Sequence, residues 1–441
     1  MMLALLAAAS TLGQQIAGSP IAHVLVLIQE NRTTDNLFAS SVIADGGPFP
    51  GADVSQVAIV NGRRIALRPT PFEDPHDPDH SQPSLVAQWD GGKMDGFAQT
   101  KVTSAPGMGL PPSDFPFAYV PPAETTVYHL LAHRYALADE NFSPRLVPTF
   151  PGHVFLAAAQ SPPADDPTTA QAWGCDSPAG TTVAMFGAGE SATRPGDFPC
   201  FDYPTIGDLL ARAGVTWKYY AAAPGTMFDD WENVYDAIRH VRYGPAWANV
   251  SMPMATVLSD IANCKLPQVA FVTPTWANSD HAGELTNGGP AWVASIYMAL
   301  LQSARSAEPS CRYYGNTAAL VTWDDSGGWY DHVPPPAGPD GTHWGFRVPI
   351  VAVSGWAKPG FISHKRRETT SILRFIERNW NLGDLGQRDA TDDDLGDMFD
   401  YAQSRPIPPL AAEMLARAVR ERSPGWDLER SAADTHPVDD E

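Results

Sequence analysis

Basic residues are scarce in this chain: 29 Lys and Arg stand against 50 Asp and Glu, a formal net charge of −21 over 441 residues. A broad nucleic-acid-binding face needs the opposite excess, and so does adhesion to an anionic membrane through a polybasic patch. An anionic small molecule stays open as a substrate, because a metal ion dominates the field inside one pocket. Cysteine is rare as well: Cys175, Cys200, Cys264 and Cys311 include no Cys-x-x-Cys pair, which argues against zinc-finger spacing. No stretch approaches the roughly 20 uninterrupted apolar residues of a membrane span, so no transmembrane segment is expected. A Gly-x-Ser-x-Gly elbow, a Walker phosphate loop and an internal repeat are all missing. Asp325-Ser-Gly-Gly328 superficially matches the nucleophile segment of trypsin-like proteases, but the chain has no matching histidine segment and does not read as all-β.

What is present describes an ordinary globular protein with a large core: 44% hydrophobic and 18% charged residues. Four cysteines allow three pairings; the simplest is Cys175–Cys200 with Cys264–Cys311, which would fit an exported enzyme. Met2-Leu-Ala-Leu-Leu-Ala-Ala-Ala resembles a secretory apolar segment, without the usual preceding Lys or Arg, and reads alternatively as a helix cap. The expected organisation is a signal-like segment over 1–20, one catalytic domain with long insertions over 21–419, and a polar acidic tail over 420–441.

Four apolar stretches each run directly into acids, amides or histidine. His23-Val-Leu-Val-Leu-Ile-Gln29 ends in Glu30-Asn31, and Thr317–Trp323 ends in Asp324-Asp325. Leu266–Val272 leads to Asp280-His281, and a helix-like stretch over Thr125–Ala138 leads through Asp139-Glu140-Asn141 to Thr149. Strands buried in a parallel sheet read as continuous Val/Ile/Leu runs, and ligands bind beyond their carboxyl ends. Strands are expected at Val24–Gln29, Val215–Tyr220, Gln268–Thr273, Ala318–Trp323 and Val348–Val353. Helices are expected at Pro151–Ala159, Pro204–Ala213, Trp292–Ser306 and Thr370–Trp380. Strands alternating with helices predict an α/β fold with a mostly parallel central sheet flanked by helices.

Glu30, Asn31, Asp324 and Asp325 offer hard oxygen donors suited to Ca, Mg or Mn, and nearby histidine extends the choice to Zn or Fe. Glu30-Asn31 also reads as a plain turn with Arg32 pairing Glu30. Thr149 precedes the helix expected at Pro151, where a hydroxyl either caps the helix or, beside a metal, becomes a nucleophile. His80, His281 and His332 each follow an Asp that could orient the ring, and histidine suits protonation of a leaving alkoxide. Trp89, Trp276, Trp323 and Trp329 lie near these segments and could face a quaternary ammonium, although tryptophan more often packs in cores and loops.

Taken together, Val26–Phe38, Asp79-His80-Ser81, Gly91–Phe97, Asp139–Phe142, Pro148–Pro151, Thr322–Pro335 and Gly345–Pro349 resemble the bacterial phosphoesterases, a family that includes phosphocholine-preferring phospholipases C and acid phosphatases. The most specific part is Asp324-Asp-Ser-Gly-Gly-Trp-Tyr-Asp-His-Val-Pro-Pro335, and the likeness extends with gaps from about 22 to 400. The resemblance implies an alkaline-phosphatase-like fold and a metal-dependent phosphoric-ester hydrolase acting on a small phosphoester or a phospholipid headgroup. It implies Glu30, Asn31, Asp324 and Asp325 as metal ligands, and Thr149 as a nucleophile that also meets the metal and forms a phosphothreonine intermediate. His80 and His281 would surround the phosphoryl group, with His281 as proton donor, and His332 matches in sequence. Two departures stand out: Gly152-His153 replaces an Asn-Arg pair, and Glu368-Thr369-Thr370-Ser371 replaces an Asp-His-Thr-Ser pattern. The first keeps open an exported phosphoester-binding protein with a degraded pocket.

Overall fold

The computed structural model describes residues 16, 18–39, 52, 57–105, 107–166, 173–186, 193–222, 232–283, 288–338, 341–403, 405 and 411–422. The signal-like segment lies outside them except for residues 16 and 18–20, as does the tail beyond 422.

The continuous apolar runs form the middle of an eight-stranded sheet. Its strands are β1 (His23–Gln29), β2 (Ala136–Ala138), β3 (Trp217–Tyr220), β4 (Val250–Ser251), β5 (Val269–Val272), β6 (Thr317–Trp323), β7 (Ile350–Val353) and β8 (Phe361–Ser363). In space the order is β4-β3-β5-β1-β6-β7-β2-β8. All pairs are parallel except those that β7 makes with β6 and β2. The α/β architecture with a mostly parallel sheet is therefore the one expected. Strand β1 is central because both its faces are apolar: Val24, Leu25, Val26, Leu27 and Ile28 are all buried, as parallel strands covered on two sides require.

Helix boundaries follow local chemistry. The helix expected at Pro204 starts at Ile206, because Thr205 and Asp208 form a capping box, and it stops at Gly214 in a left-handed conformation. The stretch Thr125–Ala138 is corrected: α1 (Thr126–Arg134) stops before Tyr135, and Ala136–Ala138 is strand β2. Leu137 continues the helical spacing of Leu130 and Leu131, so apolar periodicity alone could not separate the two; pairing with β7 and β8 decides it. Helix α2 (Thr149–Ala158) begins at Thr149, with Pro148 in the cap position. Helix α3 (Gly288–Ser303) is buried along most of its length. Both expected disulfides, Cys175–Cys200 and Cys264–Cys311, are formed.

Register carries the fold into the site. Gln29 pairs with Trp323 across β1 and β6, and the Asp324 amide N–H donates to the Gln29 carbonyl at 3.1 Å. Glu30 and Asp324 therefore leave adjacent parallel strands at the same level. Leu320, fully buried in β6, tests this core: Leu320→Ala should cost about 2–5 kcal/mol in guanidinium unfolding, and a loss under about 1 kcal/mol would contradict the packing described.

Candidate active site

Glu30 and Asn31 follow β1 and Asp324 and Asp325 follow β6; all four side chains are buried. Asn31 adopts φ 59°, and Gly327, at φ 58°, passes so close that a Cβ there would lie 2.4 Å from the Asn31 carbonyl oxygen. The Asn31 amide N–H donates to Asp324 Oδ1 at 3.0 Å, which locks the two strand ends together.

Thr149 enters from α2. Its hydroxyl does not cap the helix; it donates to Asn31 Oδ1 at 3.4 Å and also interacts with Glu30. The capping reading is thereby replaced. The next backbone N–H, that of Phe150, donates to Asp166 at 2.8 Å, so part of the helix end is already engaged by a carboxylate.

Arg32 does not pair with Glu30. Its guanidinium lies over Phe72 and Trp329 and donates to the Asp280 carbonyl at 2.6 Å and to Asn36 at 3.1 Å. The turn-and-salt-bridge reading of Glu30 therefore fails, and Glu30 keeps its charge problem. Burial pushes the Glu30, Asp324 and Asp325 carboxyls upward, and Asp324 is raised further by Glu30 and Asp325 by Asp324. The first carboxylate to ionise makes the next harder to ionise, so the group titrates as a unit. Among the described residues, Glu30 Oε2, Asp324 Oδ2 and Asp325 Oδ2 are buried acceptors that find no donor. Converging, desolvated carboxylate oxygens without donors are what a cation would satisfy.

One residue here was not singled out as a site candidate. His153, fully buried on α2, places Nε2 2.8 Å from Glu30 Oε1 and 3.9 Å from Asp324 Oδ2. Glu30, His153 and Asp324 form a cluster of donor atoms, all within 4.8 Å of one another, that could hold a metal ion. Burial lowers the His153 pKa to about 4, against the pull of Asp324. The signal was present: Thr149 and His153 stand four residues apart and share a helix face. Asp325 lies beside this cluster, its Oδ1 accepting the Gly327 N–H at 2.6 Å.

The three candidate histidines separate. His80 Nδ1–H donates to the Pro78 carbonyl at 2.8 Å, and its Nε2 accepts from the Asn31 side-chain Nδ2–H at 3.1 Å. His281 packs 5.3 Å from His80, ring to ring, and 4.8 Å from Trp276, with Nδ1–H donating to the Ala282 carbonyl at 2.6 Å. His332 belongs to another buried cluster: its Nδ1 lies 2.8 Å from Asp35, and Arg347 pairs with both Asp35 and Asp331. Burial pulls the His332 imidazole down, but the Asp35 hydrogen bond and the charges of Asp35 and Asp331 outweigh it and raise it. Asp35, Asp331 and His332 also form a group of possible ligands, yet Arg347 already fills the position of the cation.

The preceding aspartates do not orient these rings as expected. Asp280, raised to about 6 by burial, accepts from Tyr128 OH at 2.7 Å and Trp323 Nε1 at 2.9 Å; Asp79 accepts from Ser81; Asp331 takes Arg347. Of the four tryptophans, Trp276 faces His281 and Trp329 faces Arg32, whereas Trp323 packs on Tyr128 and Trp89 on His343. Glu368 pairs with Arg388 and Thr370, outside this cluster.

Against known proteins, residues 21–383 match the model of the phosphoesterase family. Phospholipase C B of Mycobacterium tuberculosis is 24% identical over 437 aligned residues, covering 87% of this chain and 78% of the relative. A non-hemolytic phospholipase C of Pseudomonas aeruginosa is 23% identical over 452 residues, covering 90% of this chain and 60% of its own length. A solved phosphonate monoester hydrolase from Silicibacter pomeroyi aligns over 65% of this chain and 72% of its own at 12% identity, with a TM-score of 0.29; the fold rests on the sheet itself and not on this likeness.

The raised carboxyls set a sign for stability. Folding raises their pKa, so protonated acids are tolerated below the unfolded value, and stability is lost as pH rises through the folded values. Chelator-treated protein should therefore show a falling Tm as pH rises from about 5 to about 8. A divalent cation should restore it most at the upper end, by scanning calorimetry; a Tm that rises over this range without metal would contradict the arrangement.

Proposed function

The chain belongs to the phosphoesterase family, and from that premise we propose that it is a metal-dependent phosphoric-ester hydrolase of the phospholipase C kind. The observation that carries the reading is the meeting of the Thr149 hydroxyl with Asn31 and Glu30, beside buried Glu30, Asp324 and Asp325 oxygens that find no donor among the described residues. Glu30, Asn31, Asp324 and Asp325 would hold the ion, with Thr149 in contact with it. When bound, a divalent cation would offset the carboxylate charge, lower the pKa of a nearby hydroxyl and neutralise charge on the phosphoryl oxygens.

The remaining steps belong to the chain's own residues. Asn31 is steered by His80, whose Nε2 takes one amide hydrogen and leaves Oδ1 facing Thr149. Thr149, its hydroxyl proton passed to solvent water as its pKa falls, attacks phosphorus through Oγ, and the new O–P bond forms as the bond to the leaving oxygen breaks. His281 is the proton donor of choice: Nδ1–H is committed to the Ala282 carbonyl, so Nε2 is the nitrogen that gives its proton to the leaving oxygen. Water, giving its proton back to His281, then attacks phosphorus of the phosphothreonine, and Thr149 departs with its oxygen. His332, expected near the chemistry, we place in the Asp35–Asp331–Arg347 network, where it supports the turn after β1.

The substrate is a phosphoester small enough to reach a buried hydroxyl, with a phospholipid headgroup as the class that the phospholipase relatives favour. Trp276 and Trp329, near His281 and Arg32, are the aromatic faces available to a quaternary ammonium. Among the described residues no helix is long and apolar enough to cross a membrane. The two disulfides support export into an oxidising compartment.

Thr149→Ala should lower kcat/KM for p-nitrophenylphosphorylcholine or p-nitrophenyl phosphate by at least about 10³-fold, and Thr149→Ser should keep part of it. The better of the two substrates chooses between diester and monoester chemistry. Turnover unchanged in Thr149→Ala would remove the nucleophile; ligand binding without turnover in the wild type would favour a binding protein.

A further inference from the structure

We infer that His153 is a nitrogen ligand of the same metal centre, making it a mixed nitrogen–oxygen site that favours zinc-like or iron(II)-like cations over calcium and magnesium. The inference rests on the proposed metal centre and adds to it a residue that lies outside the four oxygen ligands.

Geometry leads to it. In an α-helix, residues four apart project from one face, and in α2 these are Thr149 and His153. Thr149 reaches Asn31, and His153 reaches the carboxylates one turn further along. Gly152, between them, lets the helix lean on the end of β6: a Cβ there would lie 3.1 Å from the Asp324 carbonyl oxygen. The imidazole is thus brought against both strand ends at once. Its Nε2 stands 2.8 Å from one oxygen of Glu30 and 3.9 Å from one of Asp324, and the three donor atoms fall within 4.8 Å of one another.

A hydrogen bond from Nε2–H to Glu30 would use only one of these acids and leave Asp324 Oδ2 without a donor among the described residues. A cation among the three would satisfy both carboxylates and use the imidazole lone pair. Nδ1 has no partner among the described residues with either tautomer, so it does not choose between the two arrangements. Carboxylates alone suit magnesium, calcium or manganese; a buried imidazole added to them shifts preference to borderline cations such as zinc.

The test is zinc K-edge X-ray absorption on the full chain carrying one equivalent of zinc, beside calorimetric titration with zinc and with magnesium. Wild type should show outer-shell scattering from imidazole, His153→Gln should lose it, and His80→Gln and His281→Gln should retain it. Zinc affinity in His153→Gln should fall by more than the roughly 10–100-fold that loss of an outer-shell partner costs, with magnesium affinity changed far less. Zinc bound without imidazole scattering, or with scattering retained in His153→Gln, would overturn the inference and leave the Glu30–Asp324 centre standing. Wild type that binds no divalent cation would overturn the centre and the inference together. Should His153→Gln not fold, loss of the imidazole signal from the wild type in His80→Gln or His281→Gln would by itself assign the nitrogen elsewhere.

Discussion

Two carboxylates held together in the interior are the constraint on which the rest of this molecule turns. Glu30 and Asp324 leave neighbouring parallel strands at the same level, and Asn31 ties them by a backbone hydrogen bond to Asp324. Burying like charges side by side is unfavourable unless a proton or a cation lies between them. Arg32 sits two residues from Glu30 yet is turned away onto Phe72 and Trp329, where Asp280 and Asn36 engage it. The fold thus turns the arginine nearest in sequence away from these acids, and the charge is left for something bound.

The surrounding polar groups serve this arrangement. Gln29 reaches sideways from β1, donating to the Asn278 carbonyl at 2.8 Å and accepting from the Asp280 N–H at 2.9 Å. That pair of bonds fixes the loop bearing His281 beside the strand end. Tyr128 and Trp323 hold the Asp280 carboxylate and Arg32 its carbonyl, so the loop is held by several bonds besides those of Gln29. On the other side, Arg347 gathers Asp35, Asp331 and His332 into a neutralised cluster that braces the turn after β1. One acidic cluster carries its own arginine and the other does not, and that contrast separates a structural network from a site.

Much of this was legible in the chain. Runs such as Val24–Ile28 and Ala318–Val321 are apolar at every position because both faces of a central parallel strand are covered. The acids that follow them stand out for the same reason. The part that was not legible depends on three-dimensional pairing. Ala136–Ala138 carries the spacing of a helix and becomes a strand because β7 and β8 flank it. Thr149 had a local reading as a cap, and only the placement of Asn31 and Glu30 decides against it. Aspartate before histidine suggested a common orienting role, yet Asp79, Asp280 and Asp331 each bind something else, since a side chain finds its partner in space and not in sequence. His153 read as part of a departure from a pattern, although its spacing from Thr149 already placed it on the same helix face.

The most direct measurement is calorimetric titration of chelator-treated protein with a divalent cation near pH 6, repeated in two buffers of different ionisation enthalpy. The account predicts saturable binding of an ion coupled to proton release, because the carboxyls that burial holds protonated must give up protons to bind it. Both the binding and the released protons should be lost in Glu30→Gln and Asp324→Asn. Cation binding with no proton release, or binding that survives both substitutions, would contradict the claim that these two acids form the centre of the site.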